Sequence, residues 1–388
     1  MPAWRYGGPI RSVHGLCKGL AARGNDVHVY TTSVDGLQDL DVPLGQAVNR
    51  DGVKVWYFPS RWLRRLYWSP AMGKTLRTAI GTFDILHLHS VYLWPTCAAA
   101  RVAERAGVPY VVTPRGALVR SLVRRKSRWV KTVWLRLIEQ RTLERAAAVH
   151  VTSEWEAQEL GHFGLKLAET VVIPNAIDET AAPVAASSLT PVVSAVLEGG
   201  DYILYMGRIS WEKGLDRLIP AMAQINSVKL VVAGSDATGY LGTLEELVRR
   251  FNVSDRVMFI GQVDGVDKDA LLAHARLLVL PSYSENFGNA ALEAMQVGCP
   301  VVVTPEVGVA RIVEESGAGF IVPGEPGRMA KAIEGIVHDD VLRRKMGEAG
   351  RRIVAEQYTW RIVAMQMEEL YQRLLASTDR SEVPGLAP

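Results

Sequence analysis

The chain has 388 residues, 48% of them apolar and 22% charged, which suits two or three domains with sizeable cores and excludes a largely disordered protein. No apolar run approaches the length of a membrane span and no charged-then-apolar leader opens the sequence, so the reading is of a protein neither inserted in a bilayer nor secreted. Net charge is +3, but residues 1–180 hold 24 basic against 15 acidic residues and the remainder 20 against 26, so the first half is expected to meet something anionic.

Apolar runs of strand length alternate with helical patterns from end to end. Met1–Tyr6 contains a proline and an arginine and does not read as a buried strand. Tyr6-Gly7-Gly8-Pro9-Ile10 then opens a helix to about Arg23, which Gly24 ends. In a doubly wound sheet the glycine-rich turn follows the central strand directly. The expectation is therefore a first domain without its first strand, as a shortened N-terminus would give. Strands follow at Val27–Thr31, Val53–Phe58, Ile85–His89, Tyr110–Thr113, Ala148–Thr152 and Val171–Ile173. Glu179–Gly200 is rich in Ala, Ser and Pro, almost uncharged, and reads as an interdomain linker with one short helical turn. Further strands fall at Tyr202–Met206, Val228–Ala233, Val257–Ile260, Leu277–Leu280, Val301–Thr304 and Phe320–Val322. A last helix spans Trp360–Leu375, with Thr359 as its cap, and residues after Ser377 are expected to fray. This alternation predicts an α/β protein with parallel sheets covered on both faces. Cys17, Cys97 and Cys299 are far apart and odd in number, which predicts reduced thiols, a cytoplasmic setting and no cysteine-based metal site.

The chemistry concentrates after particular strands. Pro281-Ser282-Tyr283-Ser284-Glu285-Asn286-Phe287-Gly288 reads as the loop between strand Leu277–Leu280 and a helix, Gly288–Val297. It delivers Glu285 to the carboxyl end of a parallel strand, where open α/β sheets bind ligands. Glu293 lies in the helix beyond, and the free N–H groups of the helix start favour an anion. A carboxylate beside an anion site suits a sugar joined to a phosphate. Tyr205-Met206-Gly207-Arg208-Ile209-Ser210-Trp211-Glu212-Lys213-Gly214 closes another strand. Its two cations, Arg208 and Lys213, suit a pyrophosphate whose charge grows as it departs. His89 ends the strand Ile85–His89, and Thr113-Pro114-Arg115-Gly116 ends the next. His87 and His89 share a strand face, but no third ligand stands near them in sequence, so no metal is expected.

In order and spacing these segments resemble the retaining glycosyltransferases of family 4, which have the GT-B fold, over Gly7 to about Tyr371. Asn175-Ala176-Ile177-Asp178 is similar to that family's turn at the end of the first domain, with Ala176 where glycine is usual. The resemblance implies two Rossmann-like domains with parallel sheets facing across a cleft. Residues 1–180 would bind the acceptor, 181–200 would be linker, 201–357 would bind the nucleotide-sugar, and 358–377 would be a helix crossing back. It further implies that Glu285, assisted by Asn286, Phe287 and Gly288, holds the donor sugar. Backbone near Val263 would meet the base, Glu293 the ribose, and Arg208 and Lys213 the pyrophosphate. Gly7, Gly8, Gly207 and Gly234 would allow close approach of backbone to donor. Many relatives carry a histidine where this chain has Arg115, which stays protonated and cannot act as a base. The implied reaction is retaining, metal-independent hexosyl transfer to a glycan or polyprenyl-linked acceptor in bacterial surface-polysaccharide synthesis, with no cofactor. A nucleotide-sugar epimerase or a non-catalytic nucleotide-sugar-binding protein are the alternatives.

From Arg120 to Ile138 the charged residues up to Arg136 are all basic, among them Arg124, Arg125, Lys126, Arg128 and Lys131, interleaved with Leu122, Trp129 and Trp134. A basic amphipathic surface of this kind suits an anionic membrane, contacted peripherally through residues 118–138, as well as it suits a solvated helix face. The phosphate-sugar motifs point away from nucleic acid.

Overall fold

A computed structural model describes residues 8–120, 132–178, 189–236 and 238–381. Gly7, the stretch Met1–Tyr6 and the core of the basic segment, 121–131, lie outside these residues. The chain forms two compact units. One runs to Ala176 and takes back the segment from Trp360; the other is Ile177–Thr359.

The first unit contains β1 (His28–Thr32), a short hairpin of β2 (Val34–Asp35) and β3 (Gln38–Asp39), then β4 (Ala47–Arg50) and β5 (Val53–Phe58). β6 (Leu86–His89), β7 (Tyr110–Thr113), β8 (Ala148–Val151) and β9 (Thr170–Val172) follow. These strands make two separate larger sheets, in the orders β1-β5-β4 and β6-β7-β8-β9. β1 runs parallel to β5 with His28 opposite Lys54, and β6 runs parallel to β7 with Leu86 opposite Tyr110. β7 and β8 are buried at every position, as continuous apolar runs between helical layers should be. β1 and β6 are only half-buried, each being the end strand of its sheet among the described residues.

The helix Gly8–Ala22 packs against the closing helix Trp360–Ser381, which runs six residues past the sequence-based end at Leu375. Leu16 and Leu20 from one meet Val363, Ala364, Met367 and Leu370 from the other in one apolar cluster. Gly15 and Gly19 permit this approach, since a methyl group on either would collide with the Trp360 ring or backbone.

The second unit holds one six-stranded sheet built from β10 (Tyr202–Met206), β11 (Lys229–Ala233), β12 (Val257–Gly261), β13 (Leu278–Leu280), β14 (Val301–Val303) and β15 (Gly319–Ile321). Its order is β12-β11-β10-β13-β14-β15 and every pair is parallel. A single large core spans both faces, with Ile203, Leu204, Leu218, Ile219, Val231 and Leu278 fully enclosed.

The linker reading of 181–200 needs correction at 191–198, while 181–188 lie outside the described residues. Pro191–Glu198 is a two-turn helix of the second unit, with Val193 and Val196 in its core and Thr190 donating from both its N–H and its hydroxyl to Asp267, at 3.0 and 2.8 Å. Low charge there reflects an apolar buried face rather than a flexible tether. Among the described residues no helix is long and apolar enough to cross a membrane.

Gly19→Val is expected to force the helices Gly8–Ala22 and Trp360–Ser381 apart at a cost of about 1–3 kcal/mol. Thermal denaturation should then show an earlier transition for the first unit while that of the second stays in place.

Candidate active site

In the second unit the strand order reverses at β10, which has β11 on one side and β13 on the other. The carboxyl ends of strands at such a reversal are where open α/β sheets bind ligands. The loop after β10 carries Gly207, Arg208, Lys213 and Gly214, and the loop after β13 carries Pro281 to Gly288.

The two loops are stitched together by backbone. The Glu212 carbonyl accepts from the N–H groups of Tyr283 (2.9 Å) and Ser284 (3.4 Å). Gly214 has φ +70° and lies so close to the Pro281 carbonyl that a methyl group would overlap it. This approach puts the Lys213 ammonium in direct contact with the Glu285 carboxylate, both side chains mostly shielded from water. Beneath them, the Tyr205 hydroxyl donates to the Arg208 carbonyl (2.8 Å), and burial pushes that phenol well above its ordinary pKa, with the Glu285 charge adding to the effect. Arg208 is instead largely exposed and 3.7 Å from Glu212.

Glu285 is also fixed from behind. Its N–H donates to the Glu306 carbonyl (3.0 Å), and its own carbonyl accepts from Gly308 (2.9 Å). Phe287 is buried, and its carbonyl accepts from Val309 (2.8 Å). The helix Asn289–Gln296 starts at Gly288, which sits at φ +100° and has no side chain with which to cap the first N–H groups. Those donors give the spot next to Glu285 a fixed positive potential. Asn286 belongs to the same pinned loop.

Glu293, on that helix, is paired with Lys268 at 3.0 Å, a partner from the helix Gly265–His274 that sequence spacing gave no reason to select. Val263 follows β12 on the same strand-end edge. Gly234 is pressed against the Gly207 carbonyl, and its N–H donates to Gly261 (2.7 Å). The absence of a side chain at Gly234 is thus required by packing between neighbouring turns.

The first unit assembles a different cluster at the ends of β6 and β7. Arg115 sits at φ +57° with its guanidinium buried, donating to Ser12 Oγ and Asn175 Oδ1 (both 3.0 Å) and 3.4 Å from His89 Nδ1. Burial lowers its pKa to about 10, still cationic at neutral pH. Gly8 opens the adjoining helix. A chain of hydrogen bonds runs from Tyr371 through His87 (2.6 Å), Thr113 (2.6 Å) and His150 (2.8 Å) to the Ile173 carbonyl (2.8 Å). One set of tautomers satisfies it: Tyr371 donates to His87 Nδ1, His87 Nε2–H to Thr113, the Thr113 hydroxyl to His150 Nδ1, and His150 Nε2–H to Ile173. Burial, then the Arg115 charge, holds His89 well below its ordinary pKa, and the same causes bring His150 down to about 3. The sequence marked His89 and Arg115; Ser12, His150 and Tyr371 are brought in by the tertiary fold. Among the described residues no group of three or more His, Cys, Asp or Glu is placed to hold a metal.

With this geometry in place, comparison with known proteins identifies the class. Residues 7–176 match the glycosyl transferase 4-like domain and residues 191–353 match glycosyl transferases group 1. The chain belongs to the family-4-type glycosyltransferases with the GT-B fold. It is 28% identical over 392 residues to a phosphatidyl-myo-inositol mannosyltransferase of Mycobacterium leprae, covering 97% of this chain and 96% of that protein. It superimposes on sucrose-phosphate synthase of Thermosynechococcus elongatus with a TM-score of 0.75 at 26% identity, covering 96% and 94% of the two chains. Anabaena HepE, solved with UDP and glucose, has the same fold, with a TM-score of 0.74 at 22% identity and coverage of 95% and 96%.

Two outcomes check this description. Because the buried histidines are neutral when folded, with pKa values below the unfolded 6.5, they stabilise the first unit fully above about pH 6.5. That stability is lost as pH falls toward the folded value near 3 for His150. The melting temperature of the first unit should drop between pH 7.5 and 4.5, and His150→Leu, less stable at pH 7.5, should show a flatter pH dependence. Separately, on the expectation that Glu293 meets a donor ribose, Lys268→Met should raise KM for the donor about tenfold or less, leave kcat nearly unchanged, and lose its effect with a 2′-deoxyribose donor. A fall in kcat alone would contradict a positioning role through Glu293.

Proposed function

We infer that this chain is a retaining, metal-independent hexosyltransferase that moves a sugar from a nucleoside-diphospho-sugar to a glycan or polyprenyl-linked acceptor, as in bacterial surface-polysaccharide synthesis. The observation that carries the reading is the Lys213–Glu285 contact, held by two stitched loops at the strand-order reversal and next to an uncapped helix start.

In this reading each partner of the contact has capacity to spare. An ammonium has three donors, so Lys213 can keep Glu285 and reach a phosphate oxygen. A carboxylate accepts several hydrogen bonds, so Glu285 can keep Lys213 and take sugar hydroxyls. The first N–H groups of the helix Asn289–Gln296 and the exposed Arg208 complete the hold on the pyrophosphate, whose charge grows as the bond to the sugar breaks. In this reading Glu293, paired with Lys268, accepts from the ribose, and the backbone at Val263 meets the base.

The acceptor hydroxyl attacks the anomeric carbon on the face the phosphate leaves. The anomeric C–O bond breaks, a new C–O bond forms on the same face, and the departing phosphate oxygen takes the acceptor proton. Glu285 positions the sugar and does not attack it. Arg115, whose Nη1 is engaged with Ser12 and Asn175, orders the acceptor-side cluster and cannot serve as a base. No metal is required, since Lys213, Arg208 and the helix start supply the positive charge.

A lipid-linked acceptor fits the run of basic residues from Arg120 to Arg136 and the exposed Val133 and Leu137 at its end. It also fits the Mycobacterium leprae relative, a phosphatidyl-myo-inositol mannosyltransferase. The protein would then work at the inner face of the cytoplasmic membrane, attached peripherally.

The test is release of nucleoside diphosphate from UDP-, GDP- and ADP-hexoses with chelator present, with and without a polyprenyl-phosphate glycan acceptor. Release from one donor, with retained configuration in the product, is expected. Glu285→Ala and Lys213→Ala should each lower kcat/KM by about 10²–10³. Conversion of the donor sugar without an acceptor would instead identify an epimerase, and donor binding without turnover in either arm would overturn the transferase reading.

A further inference from the structure

Four ionised groups meet where the loops after β10 and β13 converge. Lys213 pairs with Glu285, and Arg208 lies 3.7 Å from Glu212. Burial is the main reason that the Tyr205 phenol titrates high, and the charges of Glu285, Arg208 and Glu212 all act on it as well. These three groups therefore gather over one buried hydroxyl, and together with Lys213 their charges cancel.

The donor reading uses both cations and Glu285 but gives Glu212 no task. A carboxylate beside an anion site repels the anion, yet the backbone holds this one in place. Trp211–Lys213 is a single tight turn, closed by the Lys213 N–H on the Ser210 carbonyl and the Gly214 N–H on the Trp211 carbonyl, both at 3.0 Å. The Glu212 carbonyl is itself tied to Tyr283 and Ser284 of the facing loop. Arg208 differs, because only its backbone is held. The Gly207 N–H donates to Ala233 (3.0 Å) and the Ile209 N–H to Ser235 (2.9 Å), while the Arg208 side chain is 57% exposed against 28% for Glu212. The guanidinium is thus the movable member of the pair and the carboxylate the fixed one. A pair this open adds little to folding stability, so stability does not account for Glu212.

We propose that Glu212 promotes release of the nucleoside diphosphate product by competing with it for Arg208. This rests on the reading of Arg208 and Lys213 as the hold on the pyrophosphate. In the donor the outer phosphate is esterified to the sugar. After transfer it is free and carries the proton taken from the acceptor, which it then gives up to water with a pKa of about 6. At neutral pH the product therefore bears roughly one more negative charge than the donor did. The fixed Glu212 carboxylate repels both ligands, but the product more strongly, and it takes back the guanidinium as the diphosphate leaves. Glu212 works through Arg208 and touches no reacting atom, which makes it a positioning residue.

The test is titration calorimetry of UDP, GDP and ADP, and of the matching diphospho-hexoses, on the full chain and on Glu212→Gln. At pH 7.5 the variant should bind the nucleoside diphosphate about fivefold more tightly, with a clearly smaller gain for the diphospho-hexose. At pH 5.5, where the terminal phosphate keeps its proton, the excess gain for the product should shrink. In an Arg208→Met background Glu212→Gln should lose most of its effect, which a bystander surface charge would not do. An unchanged melting temperature checks the fold, and Glu212→Ser is read instead if the Gln variant does not fold. No gain, equal gains for the two ligands, or a gain that survives Arg208→Met overturns the proposal. If the unmodified chain binds none of the three diphosphates, the pyrophosphate reading itself fails and takes the inference with it.

Discussion

The contact between Gly214 and Pro281 is the constraint on which the geometry at the strand ends of the second unit rests. Two loops from adjacent parallel strands converge because neither a side chain at Gly214 nor a free carbonyl at Glu212 holds them apart. Once they meet, the Lys213–Glu285 pair follows, and so does the alignment of Glu285 with the helix that begins at Gly288. The pair is shielded but not sealed, which leaves both groups reachable by ligand atoms that can replace water around them.

The two units solve the problem of polar groups near a core differently. In the second, charges are paired and kept at the strand-end edge. In the first, the polar cluster beneath β6 and β7 is buried and neutral apart from Arg115, and His87 and His150 are each satisfied by hydroxyl or carbonyl groups. A buried neutral imidazole is affordable when its donor and acceptor are both engaged. The guanidinium below the surface is partly satisfied: its Nη1 donates to Ser12 and Asn175, which are far apart in sequence, and its Nη2 faces His89.

Glycine has a distinct use at the donor-side turns. Gly234 and Gly207 touch through backbone, so the turns after β10 and β11 nest. A reading of such glycines as phosphate cradles and a reading as packing requirements make the same demand on sequence. The structure separates them at Gly234, where the neighbour is protein.

Much of this was legible in the sequence, because period and punctuation are local. Alternating apolar runs and helical patterns set the parallel α/β class, and glycine, proline and charge placed Glu285, Lys213 and Arg208 on loops after strands. Residues 191–198 misled because low charge marks a buried helix face as readily as a tether, and only Val193 and Val196 in the core distinguish them. The Lys268–Glu293 pair and the Tyr371–His87–Thr113–His150 chain were decided by tertiary structure alone. Each joins residues far apart in sequence, and no local pattern records which strands and helices become neighbours.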